Sequence, residues 1–205
     1  AKSADELSGL SQLRAHAIDS VSAQRLPNKR DEEWRFTDIS PLTQLTFPPS
    51  QRHPKLQASD IEQFYLSETN NRLVFVDGHY AAALSTIADT QAQMIGNLPD
   101  LMSSHASTIE SHLGHYAEID HNVFSALNTA FLRDCAVILV PKKIVITEPI
   151  HLLFIATQKE ISNYSRCLVV AEQDSRVTLI EDHVSIIQSP YITNTVTEIR
   201  LAAHA

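Results

Sequence analysis

The sequence has little glycine, and all of it lies in the first 114 residues. Only four glycines occur in 205 residues, and none follows Gly114. Two-residue β-hairpins usually need glycine at a positive φ angle, so the later part of the chain is poorly suited to them. In that part, only Asn163, Asp174 and Asn194 are expected to tolerate positive φ readily, because their side chains are short and polar. The missing glycine thus disfavours a series of tight hairpins after Gly114.

Cysteine is almost as scarce, which excludes several kinds of site. The two cysteines, Cys135 and Cys167, make no disulfide framework, so a reducing compartment is expected. Two thiols also fall short of the four that an iron–sulfur cluster normally takes from protein. The scattered glycines form no phosphate-binding loop, so the chain is not predicted to be an ATPase.

Long apolar runs and excess positive charge are also missing. No apolar stretch approaches the roughly 20 residues that span a bilayer. The start, AKSADELSG, has the pattern of neither a secretory signal nor a transit peptide. The formal net charge of −8 disfavours nucleic-acid binding, which needs a basic surface. We expect no nucleic-acid partner and no membrane partner.

What the sequence does have is a C-terminal part rich in β-branched residues. Residues 136–157 are crowded with Val and Ile and are interrupted by Pro141 and Pro149. Such residues favour strands, and the prolines leave pieces too short for helices. Further strands are predicted at Leu168–Ala171, Val177–Ile180 and Thr195–Leu201. No helical pattern separates them, which disfavours βαβ crossovers. We predict a right-handed parallel β-helix, with an antiparallel sandwich as the alternative.

The part before it is predicted to mix helices and strands. A capping-box pattern at Ser3 and Glu6 precedes Leu10, Ile18 and Val21 at helical spacing. This helix should end near Arg25, because Pro27 disfavours helix at the residue before it. A hairpin is predicted at 72–84 around Asp77-Gly78, a weak helix at 98–120 and a short amphipathic helix at 124–132. We therefore divide the chain into a mixed region at 1–130 and the start of the β-helix at 131–205.

Candidate chemical groups are few, and none is predicted to be catalytic, cofactor-binding or metal-binding. Cys135 and Cys167 are expected to be small buried hydrophobic residues. Glu181, Asp182 and His183 are predicted to form a solvated turn, because adjacent residues of a strand point to opposite faces and do not converge. Four histidines complete no zinc pattern, although two of them are spaced for one helix face. They are His105, His112, His115 and His121.

The most distinctive sequence motif surrounds the single tryptophan, Trp34. From packing alone, Trp34 and Phe36 are expected to be buried, with the charged residues around them in water. The segment LPNKRDEEWRFT (26–37) closely resembles one near the N-terminus of the SufB/SufD family of iron–sulfur cluster assembly proteins. LVFVDGHY (73–80) and the long segment at 124–157 match the same family in the same order, although Cys135 stands where the family usually has glycine. Chains of the SufB type are longer and carry a cysteine-rich motif, so the SufD branch is the closer match.

The resemblance implies a non-catalytic scaffold subunit. Its expected partners are a SufB-like paralogue and a SufC-like ATPase, in bacterial cytoplasm or plastid stroma. It implies that the residues which contact them lie beyond Ala205, and that a cluster is held only in the complex. Self-association through the open end of the β-helix is also expected. The alternatives are a carbohydrate-active β-helix enzyme, either a lyase or a hydrolase, and a stand-alone metal-binding module.

Overall fold

The computed structural model describes residues 8–44, 46–50, 56–88 and 94–205. The α-helices are α1 (Ser8–Ala23), α2 (Pro41–Gln44), α3 (Ala58–Ile61), α4 (Leu98–Glu110) and α5 (Val123–Ala130). The strands are β1 (Arg72–Val76), β2 (His79–Tyr80), β3 (Ile95–Asn97), β4 (Ala136–Val140), β5 (Ile150–Ala156), β6 (Ser162–Ala171), β7 (Leu179–Ser185) and β8 (Ile192–Leu201). The predicted capping box at Ser3 and Glu6 lies outside the described residues.

The helices largely follow the predicted pattern, with two corrections. Helix α1 ends at Ala23, close to the predicted end, but Ile18 points outward and is 53% exposed. The predicted weak helix at 98–120 ends earlier, because α4 stops at Glu110 and the chain then turns with Gly114 at a φ of 81°. The chain from 111 to 120 is thus a loop, and it packs beside the second sheet.

The strands form two mixed sheets, in the orders β2-β1-β5-β7 and β3-β4-β6-β8. Successive strands from β4 to β8 alternate between these sheets. In the first sheet β5 pairs in parallel with β1 and β7, and in the second β6 pairs in parallel with β4 and β8. This parallel pairing contradicts the antiparallel sandwich for the described strands after Asp134. Antiparallel pairs join only short strands to their neighbours, namely β2 to β1 and β3 to β4.

The turns show how strands can follow one another with almost no glycine. The predicted Asp77-Gly78 hairpin is present, with both residues at positive φ. Later bends place Lys143, Glu160 and Asp174 at φ angles of 65°, 57° and 59°. Of the three residues expected to tolerate positive φ, Asp174 adopts it, whereas Asn163 and Asn194 lie in β6 and β8. The expectation that only those three would serve is wrong, because Lys143 and Glu160 adopt positive φ as well. Backbone hydrogen bonds hold the bends, such as that from Lys143 N–H to Gln173 O (3.0 Å).

Three apolar clusters hold these layers together. Between the sheets, side chains of β1 and β5 meet those of β3, β4 and β6, including Leu152, Phe154 and Val169. The outer face of the second sheet packs against α1 and α4, and the outer face of the first packs against Ile61 of α3. Each face of the early strands is therefore covered, as expected for parallel strands buried on both sides.

Candidate functional site

Strands β7 and β8 are edge strands, and they lie at the same end of the two sheets. Each pairs on one side only within the described part of the chain, β7 with β5 and β8 with β6. They have 7 and 10 residues, whereas β2 and β3 at the opposite edges have 2 and 3. Long edge strands leave rows of unpaired backbone groups that another strand can bind. A further strand, of the same chain or of another, can pair at this end, which is therefore the candidate interaction site.

The side chains between the sheets change from buried and apolar to polar or partly exposed towards that end. The early part of the space between the sheets is lined by Ile138 and Leu152, which are almost fully buried. In β8 the inward-facing positions include Thr193, Thr195 and Thr197, because Thr197 pairs in register with the inward-facing Cys167. Two further β8 side chains in this alternation, Ile199 and Leu201, are 53% and 60% exposed. The last strand therefore presents polar and apolar groups that no described residue covers fully.

Glu181, Asp182 and His183 lie in the middle of β7, so the predicted turn is wrong. Pairing with β5 along the whole strand outweighs their polar character. Glu181 accepts hydrogen bonds from His183 Nε2 (2.8 Å) and Thr197 Oγ1 (3.1 Å), and the bond from His183 lowers the pKa of Glu181. Asp182 points the other way and accepts one from the buried His151 (3.0 Å). An acid–base glycosidase requires two carboxylates that face each other across one groove, and these two do not.

The two cysteines lie on opposite sides of the second sheet. Cys135 belongs to the cluster under α1 and α4, whereas Cys167 belongs to the cluster between the sheets. Both thiols are free and buried, and burial raises the pKa of each. Cys135 is not among the residues with positive φ, so its backbone does not require the glycine that the family usually has there. Together they cannot bind one ligand.

The four histidines form no cluster. His112 and His115 lie after the end of α4, so they do not share a helix face. His112 pairs with Tyr116, and the exposed His121 lies 4.0 Å from Glu118. Among the described residues, no group of three or more His, Cys, Asp or Glu side chains is placed to hold a metal ion. None of the helices in the described ranges is both long and apolar enough to cross a bilayer.

A buried ion pair, missed by the sequence analysis, ties the helical layer to β8. Arg166 and Glu198 have fully buried side chains, with Arg166 Nη2 2.6 Å from Glu198 Oε2. Arg166 Nη1 also donates to Asn128 Oδ1 (3.0 Å), while Glu198 accepts from the backbone N–H of Gly114 and Tyr116. Burial acts to raise the pKa of Glu198, but Arg166 and these N–H groups outweigh it and hold that pKa below its usual value. The sequence signal was Arg166, the single charged residue of β6, and Glu198, one of two charged residues in β8.

The motif around Trp34 is more exposed than expected from the prediction that Trp34 and Phe36 are buried. Trp34 is half-buried against Phe124, with ring centroids 5.4 Å apart. Phe36 is 86% exposed, and the Arg35 guanidinium lies over its ring at 4.5 Å. The expected burial is therefore partly right for Trp34 and wrong for Phe36, because residues 35–38, which follow the short 3-10 turn at Glu32–Trp34, stay exposed at the surface.

Comparison with known proteins shows which family this sequence matches. Residues 2–152 match the family described as SufBD protein N-terminal region. An iron–sulfur cluster assembly SufBD family protein of Synechocystis is 35% identical over 204 residues, covering 94% of this chain and 45% of that protein. The iron–sulfur cluster assembly protein SufD of Bacillus subtilis is 20% identical over 187 residues, covering 87% of this chain and 42% of that protein.

The chain thus spans less than half the length of these two curated relatives. A SufBD family protein of Trieres chinensis also matches, at 27% identity over 88 residues, covering 43% of this chain and 18% of that protein. Because the family match covers most of the chain, this protein belongs to the SufBD family.

Proposed function

We propose that this chain is the N-terminal portion of a non-catalytic, SufD-type subunit of a SufBCD scaffold for iron–sulfur cluster assembly. Two curated relatives are named as iron–sulfur cluster assembly proteins, one of them SufD. The observation that carries the proposal is the match of residues 2–152 to the SufBD N-terminal region, in a chain whose later strands pair in parallel within two sheets. Stacked parallel strands make a stiff support on which other proteins can be held.

The strands after Asp134 are proposed to be the first coils of a right-handed parallel β-helix. Alternation between two sheets and parallel pairing with the strand two places earlier support it, since each coil of such a helix stacks on the previous one. Right-handed crossovers are the rule for parallel strands. Further coils then add to β7 and β8.

The proposed partners are a SufB-like paralogue, paired through the β-helix, and a SufC-like ATPase, docked through parts of the protein beyond residue 205. The cluster is cargo of the complex, and this chain alone is proposed to bind no cofactor. The opposed, buried positions of Cys135 and Cys167 support that assignment. Their free thiols also suit a reducing compartment, bacterial cytoplasm or plastid stroma.

Co-purification tests the assignment to a complex. The intact gene product, tagged, is co-expressed with its SufB-like paralogue and SufC-like ATPase, and the eluate is analysed by native mass spectrometry. We expect one complex that contains all three chains. Elution of the tagged protein without either partner contradicts the proposal, and an untagged bait controls for non-specific binding.

Self-association through the open end is tested with two variants of matched exposure. Ile199 and Ile18 are both 53% exposed, but only Ile199 lies at the open end. We expect this chain to associate as its concentration rises in sedimentation velocity, and Ile199→Asp to weaken that association by about tenfold or more, the cost of a carboxylate in an apolar contact. Ile18→Asp should leave it unchanged. Equal effects of both substitutions contradict an interface at β8.

A further inference from the structure

A cavity of about 100 Å³ lies between the two sheets, next to the open edge strands. This volume holds several water molecules or a ligand of a few heavy atoms, and it is too small for a drug-sized molecule. β5, β6, β7 and the chain that enters β8 all contribute to its wall. The wall residues used below are Phe154, Asn163, Ser165, His183, Tyr191 and Thr193.

One wall residue has a hydrogen-bonding capacity that the described residues do not satisfy. Asn163 is 4% exposed, and its Oδ1 has no hydrogen-bond partner. A buried acceptor left unpaired costs about 1–3 kcal/mol. Ser165, also 4% exposed, stands two residues along the same face of β6. An occupant of the cavity that carries N–H or O–H groups relieves this cost.

The charge near the cavity selects among possible occupants. Glu181 binds His183 of the wall and places a carboxylate behind it, which disfavours an anion. Ca²⁺ and Mg²⁺ prefer carboxylate oxygens, yet no Asp or Glu contributes to the wall. Zn²⁺ requires several thiolate or imidazole ligands, and His183 is the single such residue there. A monovalent cation that also donates hydrogen bonds fits this combination best.

Aromatic rings in the wall also favour a cation that donates hydrogen bonds. His183 stacks on Phe154 with ring centroids 4.8 Å apart and planes at 8°, so two contacts fix its orientation. In the neutral imidazole, donation from Nε2 to the Glu181 carboxylate leaves Nδ1 as an acceptor. Tyr191 supplies another ring and a hydroxyl group. Acceptors beside aromatic rings are the environment in which ammonium groups bind.

We propose that this cavity binds a small ammonium group. The group comes either from a free primary amine or from a lysine side chain of a strand that adds to β7 or β8. Neither source depends on the iron–sulfur assignment, because the site is defined by Asn163, His183 and the hydroxyl groups around them. It is separate from the backbone edges of β7 and β8, where pairing uses N–H and C=O groups.

Titration with methylammonium chloride tests the free-amine source. The side-chain amide of Asn163 and the imidazole of His183 are followed by NMR at constant ionic strength, with sodium and tetramethylammonium chlorides as controls. We expect a saturable shift with methylammonium only, since tetramethylammonium has no N–H to donate. Because this comparison uses the unaltered protein, it does not depend on whether a variant folds.

Two substitutions locate the binding. Asn163→Leu removes the acceptor and should weaken methylammonium binding by about tenfold, the worth of one hydrogen bond to a charged donor. Thr195→Val changes a neighbouring inward-facing residue of β8 that does not contribute to the wall, and it should leave binding unchanged. Urea unfolding of each variant establishes that it is folded.

Nuclear Overhauser effects test the lysine source, because the ε protons of a lysine bound in the cavity lie close to the rings of the wall residues His183 and Tyr191. An effect between lysine ε protons and these rings that methylammonium suppresses identifies a lysine as the occupant. Saturable methylammonium binding without that effect identifies a free amine. Absence of both, or shifts shared with sodium and tetramethylammonium, shows that the cavity holds water only and overturns the proposal.

Discussion

Arg166 of β6 and Glu198 of β8 are joined at 2.6 Å with both side chains fully buried, and their partners come from the helical layer. Asn128 of α5 and the loop at Gly114–Ala117 are bound to this pair. The pair therefore couples the N-terminal region to the last described strand. Residues 1–130 and 131–205, the two regions predicted from the sequence, are therefore joined here by buried hydrogen bonds.

The first prediction follows from that coupling. Glu198→Gln leaves the Arg166 charge buried without its counterion, and we expect a loss of about 3–5 kcal/mol in the free energy of unfolding, measured with urea. Replacing both residues with methionine should recover much of this loss. Asp38→Asn, in the exposed pair with Lys29, is the control and should change little. A Glu198→Gln protein within 1 kcal/mol of the original contradicts the coupling.

A second prediction concerns pH. Burial raises the pKa of Asp134 from 3.8 to about 6, although its carboxylate accepts bonds from Leu98 N and Cys135 N. A raised pKa means that the group favours the folded state when protonated, and that this contribution is lost as pH rises from about 4 to about 6. The stability of the original protein relative to Asp134→Asn should fall by up to about 3 kcal/mol across this range. A constant difference in urea unfolding contradicts it.

The third prediction is that Asp77 is required for the turn and for the end of β5. Its φ is 49°, a region that Asn and Gly tolerate better than Ala, and its carboxylate accepts from Thr157 N and Gln158 Nε2 (both 2.8 Å). Asp77→Ala should cost about 2–4 kcal/mol in thermal or urea unfolding, because buried donors lose their acceptor. Asp77→Asn keeps the backbone preference and should cost about half as much. Equal losses would falsify a separate contribution from the backbone preference at this turn.

A fourth prediction concerns thiol reactivity. Cys135 and Cys167 are buried with raised pKa values, so neither forms a thiolate readily in the folded protein. We expect an aromatic disulfide reagent to react with them only as fast as the protein unfolds. Ser103→Cys places a thiol on the exposed surface of α4 and should react at once. Rapid reaction of the original protein contradicts the described burial.

The fifth prediction separates the two aromatic residues of the N-terminal motif. Trp34→Ala should reduce unfolding free energy by about 1–2 kcal/mol, because it removes the contact with Phe124. Phe36→Ala should change it by less than about 0.5 kcal/mol, since that ring is 86% exposed. Urea unfolding of both variants decides the matter. Similar losses would mean that Phe36 packs inside the folded chain.

The sequence was informative where local chemistry decides the structure. Asp77-Gly78 predicted the hairpin, and the lack of glycine after Gly114 correctly disfavoured tight hairpins. Residues 136–157 yielded β4 and β5, separated by a bend that includes Lys143. Helix α1 ended close to where Pro27 predicts. Each of these signals involves residues close together in the chain.

The sequence was not informative where contacts between distant segments determine the structure. Glu181–His183 was predicted to be a turn, yet pairing with β5, about 30 residues earlier, makes it strand. Arg166 and Glu198 are ordinary charged residues until the register of β6 and β8 brings them together. Phe36 was expected inside because aromatic residues usually pack, and nothing local shows that its ring faces outward. The cavity beside Asn163 likewise depends on five separate segments, one of them the turn at Gly78.

The difference in length between the two edges of the sheets has a consequence for strand addition. β2 and β3 offer 2 and 3 residues to a neighbour, whereas β7 and β8 offer 7 and 10. A short edge strand gives an incoming strand few backbone groups to pair with, so the edges at β2 and β3 are protected against strand addition. A strand that joins these sheets by backbone pairing, whatever chain it comes from, is therefore directed to β7 and β8.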